Sequence, residues 1–249
     1  IGANVAVRQG LAGDARAAAV ALAAELAEVP ARRCRRTPET AERLRAGSWA
    51  ATPYEDESGG GHIDPRTLTL RLESLLPAER TLAVDSGHFM GWPAMYMSVP
   101  DERGFVFCQA FQAVGMALAN AIGAAVARPD RLAVAALGDG GALMGASELE
   151  TAVRLGVSLL AVVYNDAAYG AEVHHFGPEG LPVDLVRFPD TDIAALARGA
   201  GAAAITVRSA ADMEPVADWL RDGAVGTMLL DAKVVPTVVG EWLPEAFGH

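Results

Sequence analysis

The sequence predicts an α/β fold, a doubly wound and mainly parallel sheet with helices on both faces, and three observations carry that expectation. From His62 onward, short apolar runs alternate with stretches of helical period. The run from Leu159 to Val163 is apolar at every position, which suits a strand covered on both faces. The run from Leu132 to Leu137 passes straight into Gly138-Asp139-Gly140-Gly141, a glycine-rich turn at the strand end where such folds place their ligands.

Taken in order, residues 1–29 read as a strand, Asn4 to Val7, and a helix from Asp14 to Ala27, with Asp14 as N-cap and Pro30 as terminator. One strand and one helix cannot bury a core, so this piece is expected to be the remnant of a domain lying mostly outside the chain. Residues 30–61 mix arginines, Pro38, Pro53, the acidic run Glu55-Asp56-Glu57 and Ser58-Gly59-Gly60-Gly61, and read as a linker with some helix near Pro38 to Ala46. Residues 62–249 form the main domain. Its expected strands are Thr81–Asp85, Phe105–Cys108, Leu132–Leu137, Ser158–Asn165, Ala203–Val207 and Thr227–Asp231. Its expected helices are Pro65–Leu76, Gln109–Ala127, Ala146–Leu155, Asp192–Gly199 and Ala211–Arg221.

Composition narrows the partners. The 249 residues are 51% hydrophobic and carry a net charge of −11, a field that repels nucleic acid and anionic membrane. The basic cluster Arg32-Arg33-Cys34-Arg35-Arg36 has no interleaved aromatics and reads as solvated linker. Two distant cysteines, Cys34 and Cys108, make neither a disulfide framework nor a zinc site, so a reducing, cytoplasmic setting is expected. The apolar stretch Ala110–Ala127 is broken by Gln112 and Asn120, and its bulky residues recur at helical spacing, as in a buried helix and not a membrane span.

The chemistry concentrates on Asp139 and on Asp166, which follows a second apolar strand 27 positions later. A βαβ crossover of that length sets the two strand ends side by side. Two hard oxygen ligands so placed suit Mg2+, which usually keeps phosphate oxygens and water as well. Gly138, Gly140 and Gly141 let backbone approach an anion, and the following helix offers its N–H groups. A Gly-Asp-Gly turn alone is often only a turn. Coupled to Asn165-Asp166 it becomes a site. The glycine spacing fits neither a dinucleotide fingerprint nor a P-loop.

Gly138-Asp139-Gly140, a helix, and Asn165-Asp166 together resemble the thiamine-diphosphate signature, GDG followed at about this distance by NN. The wider resemblance, over about residues 80–235, is to the acetolactate synthase, pyruvate decarboxylase and benzoylformate decarboxylase branch. Ala121-Ile122-Gly123-Ala124 before Arg128-Pro129-Asp130-Arg131, and Glu148-Leu149-Glu150-Thr151-Ala152, resemble acetolactate synthase stretches. Residues 1–29 resemble the end of that family's central domain.

The resemblance implies the diphosphate-binding fold, with thiamine diphosphate and Mg2+ as cofactors and FAD left open. It implies Asp139, Asp166 (where the family usually has Asn) and the Ala168 carbonyl as metal ligands. It places Val114 as the wedge that bends the cofactor, with Gly115, Gly138, Gly140, Gly141, Ala142, Tyr169 and Gly170 among the binding positions. It implies a 2-oxo acid substrate that loses CO2, the acyl fragment then being protonated or transferred to a second carbonyl. For proton transfer, Glu172 falls where related decarboxylases carry an active-site Glu, and His174 and His175 follow at once. His88, at the end of an expected strand, aligns with a Gln of the acetolactate synthase pattern. Gln109, Phe111 and Gln112 replace a glycine-rich run there.

No segment resembles the N-terminal domain that supplies the pyrimidine-activating Glu in this family. A pyrimidine-binding domain or subunit is therefore an expected partner, and a homodimer or homotetramer the expected assembly. Three readings stay open: an acetolactate-synthase-like carboligase, a simple 2-oxo acid decarboxylase, and a non-catalytic cofactor-binding subunit.

Overall fold

The computed structural model describes residues 6–30, 36–107 and 113–243. The chain forms two compact units, Ile1–Gly47 and Ser48–His249.

In the first unit, α1 (Ala15–Ala27) starts where Asp14 accepts a hydrogen bond from the Ala17 N–H at 2.8 Å, and none of its residues is buried. Helix α2 (Pro38–Ala46) is capped by the Thr37 hydroxyl and opens on a proline, which needs no N–H partner in the first turn. The expected strand at Asn4–Val7 lies partly outside the described residues, and Ala6 and Val7 are not extended into a sheet.

The second unit is a six-stranded, all-parallel sheet. Its strands are β1 (Arg80–Val84), β2 (Phe105–Phe107), β3 (Leu132–Gly138), β4 (Leu159–Asn165), β5 (Ala203–Val207) and β6 (Thr227–Lys233), in the spatial order β2-β1-β3-β4-β6-β5. Successive side chains point to opposite faces; both faces are buried along β1, β3, β4 and β6, while the edge strands β2 and β5 are partly exposed. Leu132, Val134 and Ala136 of β3, with Leu160, Val162 and Tyr164 of β4, join one apolar layer. That layer includes α3 (Pro65–Leu75), α4 (Gly91–Tyr96) and α10 (Glu214–Arg221). Ala133, Ala135, Leu137, Leu159, Ala161 and Val163 join the other. It is covered by α5 (Ala117–Ala127), α7 (Glu148–Leu155) and α9 (Ile193–Gly199). The alanines of α5 and β3 bring helix backbone close to sheet. The doubly wound parallel architecture expected from the alternating pattern is the one observed.

Some bounds differ for physical reasons. The helix expected over Gln109–Ala127 begins at Ala117, since Gly115 sits at φ +90° and donates its N–H to Asp85 and not to a helical carbonyl. Residues Cys108 to Gln112 lie outside the described set. The helix expected from Ala146 starts at Glu148, and a shorter one, α6 (Asp139–Met144), runs through the glycines read as a loop. Asp139 is thus itself the first helical residue. A 3-10 turn, Ala210–Met213, precedes α10, whose Pro215 cannot donate into a continuous helix. The segment after β4 holds α8 (Gly170–Phe176).

Candidate functional site

From β1 the chain turns one way to β2, while β3 lies on the other side. The strand order therefore reverses between β1 and β3, and the loops above those strands part to leave a crevice. Asp85 follows β1, Asp139 follows β3 and Asp166 follows β4, all at the same sheet edge.

Asp139 is 4% exposed and takes two backbone N–H bonds, from Gly140 at 2.9 Å and from Ala168 at 3.1 Å. Asp166 accepts from the same Ala168 N–H at 3.2 Å. The two carboxylates therefore converge on one side of the sheet edge, with part of Asp166 open to the cleft. Burial pushes Asp139 up to about 6, the N–H bonds and the Lys233 charge pulling the other way. Burial and the neighbouring Asp139 charge push Asp166 up to about 7. Two carboxylates so close and so dry resist losing both protons unless a cation joins them.

The turn that carries Asp166 is closed by side-chain hydrogen bonds. Asn165 donates to Asp231 at 2.8 Å and accepts from the Ala167 N–H at 3.2 Å, which holds Ala167 left-handed at φ 56°. Asp231 also accepts from the Ile193 N–H and from Lys233 at 3.1 Å, and Lys233 reaches on to Asp190 and the Thr191 carbonyl. Strain at Ala167 is offset by this fully paired network.

Close approach is arranged by glycines. A methyl group at Gly140 would overlap the Tyr169 ring, and one at Gly170 would overlap the Asp166 carboxylate. The resulting cleft is about 330 Å³. Its floor comes from Gly138, Asp139, Gly140 and Gly141, and one wall from Asp166, Ala168, Tyr169 and Gly170. Val114, His88 and Glu172 line it as well, Glu172 from the exposed mouth. Among the described residues no third His, Cys, Asp or Glu joins the acidic pair. Further ligands to a cation there would be backbone or non-protein oxygens, the coordination Mg2+ favours when it carries a diphosphate. The residues present fit such a group.

Four of the expected positions are not on the cleft wall. Ala142 packs into the apolar layer under α6, and Gly115 forms the turn that presents Val114. His174 lines a neighbouring pocket with Arg187 and Thr237, and His175 packs edge-on against Phe176. His88 lines the cleft, but its Nε2 accepts the Gly240 N–H at 2.8 Å, so its neutral ring carries the proton on Nδ1. Burial holds His88 at about 3, with the neighbouring His174 adding to the effect.

Two contributors escaped the sequence reading. Asp85, fully buried, accepts the N–H groups of Ser86 at 2.9 Å and Gly115 at 2.8 Å and thereby sets the turn bearing Val114. An acid directly after an apolar strand, as at Asp139, was the available signal. Trp242 lines the cleft from the far end of the chain, and no local pattern announces it.

Fold and site together define a ligand-binding α/β domain with an acidic pair at the carboxyl ends of β3 and β4, beside the switch point. The model of the "thiamine pyrophosphate enzyme, C-terminal TPP binding domain" matches residues 85–232, and the chain belongs to that family. A putative acetolactate synthase large subunit of Mycobacterium tuberculosis is 29% identical over 212 residues, 84% of this chain and 38% of its own length. The Bacillus subtilis acetolactate synthase is 30% identical over 203 residues, 79% of this chain and 35% of that one. The chain thus spans about a third of the length of the curated relatives it matches. A thiamine diphosphate-dependent 4-hydroxybenzoylformate decarboxylase of Rhodococcus jostii shares the fold, with a TM-score of 0.65 at 21% identity over 86% of this chain and 43% of that one. Among the described residues no helix is long and apolar enough to cross a membrane.

Proposed function

We propose that this chain is the diphosphate-and-metal half of an enzyme that decarboxylates a 2-oxo acid and transfers the acyl fragment to a second carbonyl. The supporting observation is the convergence of Asp139 and Asp166 on one N–H above a glycine cradle. In this reading Asp139, Asp166 and the Ala168 carbonyl hold Mg2+. The backbone of Gly138, Gly140 and Gly141, with Tyr169 and Gly170, receives the diphosphate of thiamine diphosphate. When bound, the cofactor supplies the nucleophile and the electron sink for loss of CO2.

The chain's own residues do the rest. Asp85 fixes the turn that presents Val114 to the cleft, where it would serve as an apolar support for the cofactor. Glu172, at the mouth, is the group this reading would have hand a proton to the product, and its exposed position on the cleft supports that role. His88 is held neutral and committed to Gly240, so it positions other groups. A pyrimidine-binding domain or subunit completes the site in a homodimer or homotetramer. The transfer reading, over simple decarboxylation, draws on relatives named acetolactate synthase and sulfoacetaldehyde acetyltransferase.

The test is calorimetry of the full-length protein with thiamine diphosphate and Mg2+, followed by CO2 release from a panel of 2-oxo acids. Metal-dependent binding that Asp139→Ala abolishes is expected, and equal binding by both proteins overturns the metal assignment. Binding without CO2 release from any 2-oxo acid would favour the non-catalytic subunit.

A further inference from the structure

The C-terminal segment returns to the cleft and is fastened there by a histidine. The His88 Nε2 accepts the Gly240 N–H at 2.8 Å, a bond spanning 152 positions. His174 lines a pocket with Pro236 of the tail, and its ring lies 4.5 Å from that of His88. The tail is therefore tied at Gly240. Two residues beyond that tie stands Trp242, which lines the cleft.

The indole is seated by shape. A methyl group at Gly91, where α4 begins, would overlap it, and one at Gly240 would sit 2.7 Å from its Nε1. Its buried N–H has no hydrogen-bond partner among the described residues. No polar contact of its own holds the ring, so its position depends on the two glycines and on the tie just before it. His88 also packs edge-on against Trp92 of α4, at 5.9 Å, so one histidine touches the seat and the strap together.

We propose that Trp242 is a specificity-determining wall of the substrate cleft, and that His88 is the positioning residue that holds it there through Gly240. This rests on the proposed 2-oxo acid chemistry. A large flat side chain brought in from the tail shortens the space beside the cofactor site, so small 2-oxo acids are favoured over aryl ones. The proton of His88 does not move in this role; its Nε2 lone pair is what matters.

The experiment compares pyruvate with benzoylformate as probe substrates of the full-length holoenzyme. In Trp242→Ala the ratio of kcat/KM for benzoylformate over pyruvate should rise at least tenfold, mainly through KM for the aryl acid. His88→Leu should shift the ratio the same way, while His88→Gln, which keeps an acceptor for the Gly240 N–H, should restore it. In the double variant of Trp242→Ala with His88→Leu the shift should not exceed that of Trp242→Ala alone. An unchanged ratio in Trp242→Ala overturns the wall, and an additive double variant overturns the positioning role. Hydrogen exchange at the Gly240 amide gives a readout independent of turnover. Protection in wild type that is lost in His88→Leu and kept in His88→Gln is expected, and equal exchange in all three overturns the tie. Calorimetry of thiamine diphosphate with Mg2+ on the same proteins separates failure of this inference from failure of the cofactor assignment.

Discussion

Asp139 and Asp166 accept hydrogen bonds from a single donor, the Ala168 N–H, at 3.1 and 3.2 Å. One N–H cannot neutralise two carboxylates. The pair is short of positive charge, and that shortage leads to the first two predictions.

Substitutions at the pair should differ in severity. Asp139→Ala removes the acceptor of two backbone N–H bonds as well as a charge, and thiamine diphosphate binding with Mg2+ should weaken by about 100-fold or more. Asp166→Asn keeps an oxygen at the same place and should cost about tenfold, the low end of the range for altered metal surroundings. Isothermal calorimetry checks both. Equal losses would mean that charge count alone governs binding.

The pH dependence follows from the raised values, about 6 for Asp139 and about 7 for Asp166. The folded, metal-free protein holds protons there that the unfolded chain releases near its ordinary carboxylate range. Metal-free stability should therefore fall as pH rises from about 4 toward 7. Mg2+ affinity should rise over the upper part of that window, because fewer protons must leave. His88, lowered to about 3, acts in the opposite sense, contributing stability above its ordinary value near 6.5 that is lost on acidification. Thermal unfolding from pH 4 to 8 tests this in wild type, in the double variant of Asp139→Asn with Asp166→Asn, and in His88→Gln. The carboxylate variant should lose the downward slope and His88→Gln the upward one. Slopes identical to wild type would remove the basis for both.

Asp85→Ala should destabilise by about 1–3 kcal/mol, the cost of leaving buried N–H groups such as that of Gly115 without an acceptor. It should also weaken cofactor binding, because the turn bearing Val114 loses its anchor. Urea unfolding and calorimetry on the same protein measure the two effects. A loss of stability with unchanged binding would confine Asp85 to folding.

Lys233→Met leaves Asp231, fully buried, with its charge uncompensated. A cost of about 3–5 kcal/mol is expected for breaking such a pair from one side. Adding Asp231→Asn should recover part of it, and a double-mutant cycle in urea is the measurement. An additive cycle would show that the two side chains do not communicate.

Much of the fold was legible because it is written locally. The runs Leu132–Leu137 and Leu159–Val163 have no polar interruption, and a strand buried on both faces is what such a run makes. The convergence of Asp139 and Asp166 followed from the crossover between those two strands. What local pattern does not hold is closure at a distance. Gly115 looked helical because its neighbours are helix formers, yet Asp85, 30 positions earlier, takes its N–H. His88 looked like a ligand-contacting site residue because its polar ring stands at a strand end beside a glycine. Only the return of the tail shows that its lone pair is committed to Gly240. Trp242 was invisible for the same reason.

Ala167 has a left-handed backbone that alanine adopts reluctantly, and Asn165 holds it there. A turn kept in that shape by its neighbours does not wait for an ion to mould it. At the proposed metal site, loading should then be limited by how fast a hydrated cation sheds its water, and hardly at all by rearrangement of the polypeptide, so ions that exchange water quickly should enter sooner than those that bind best.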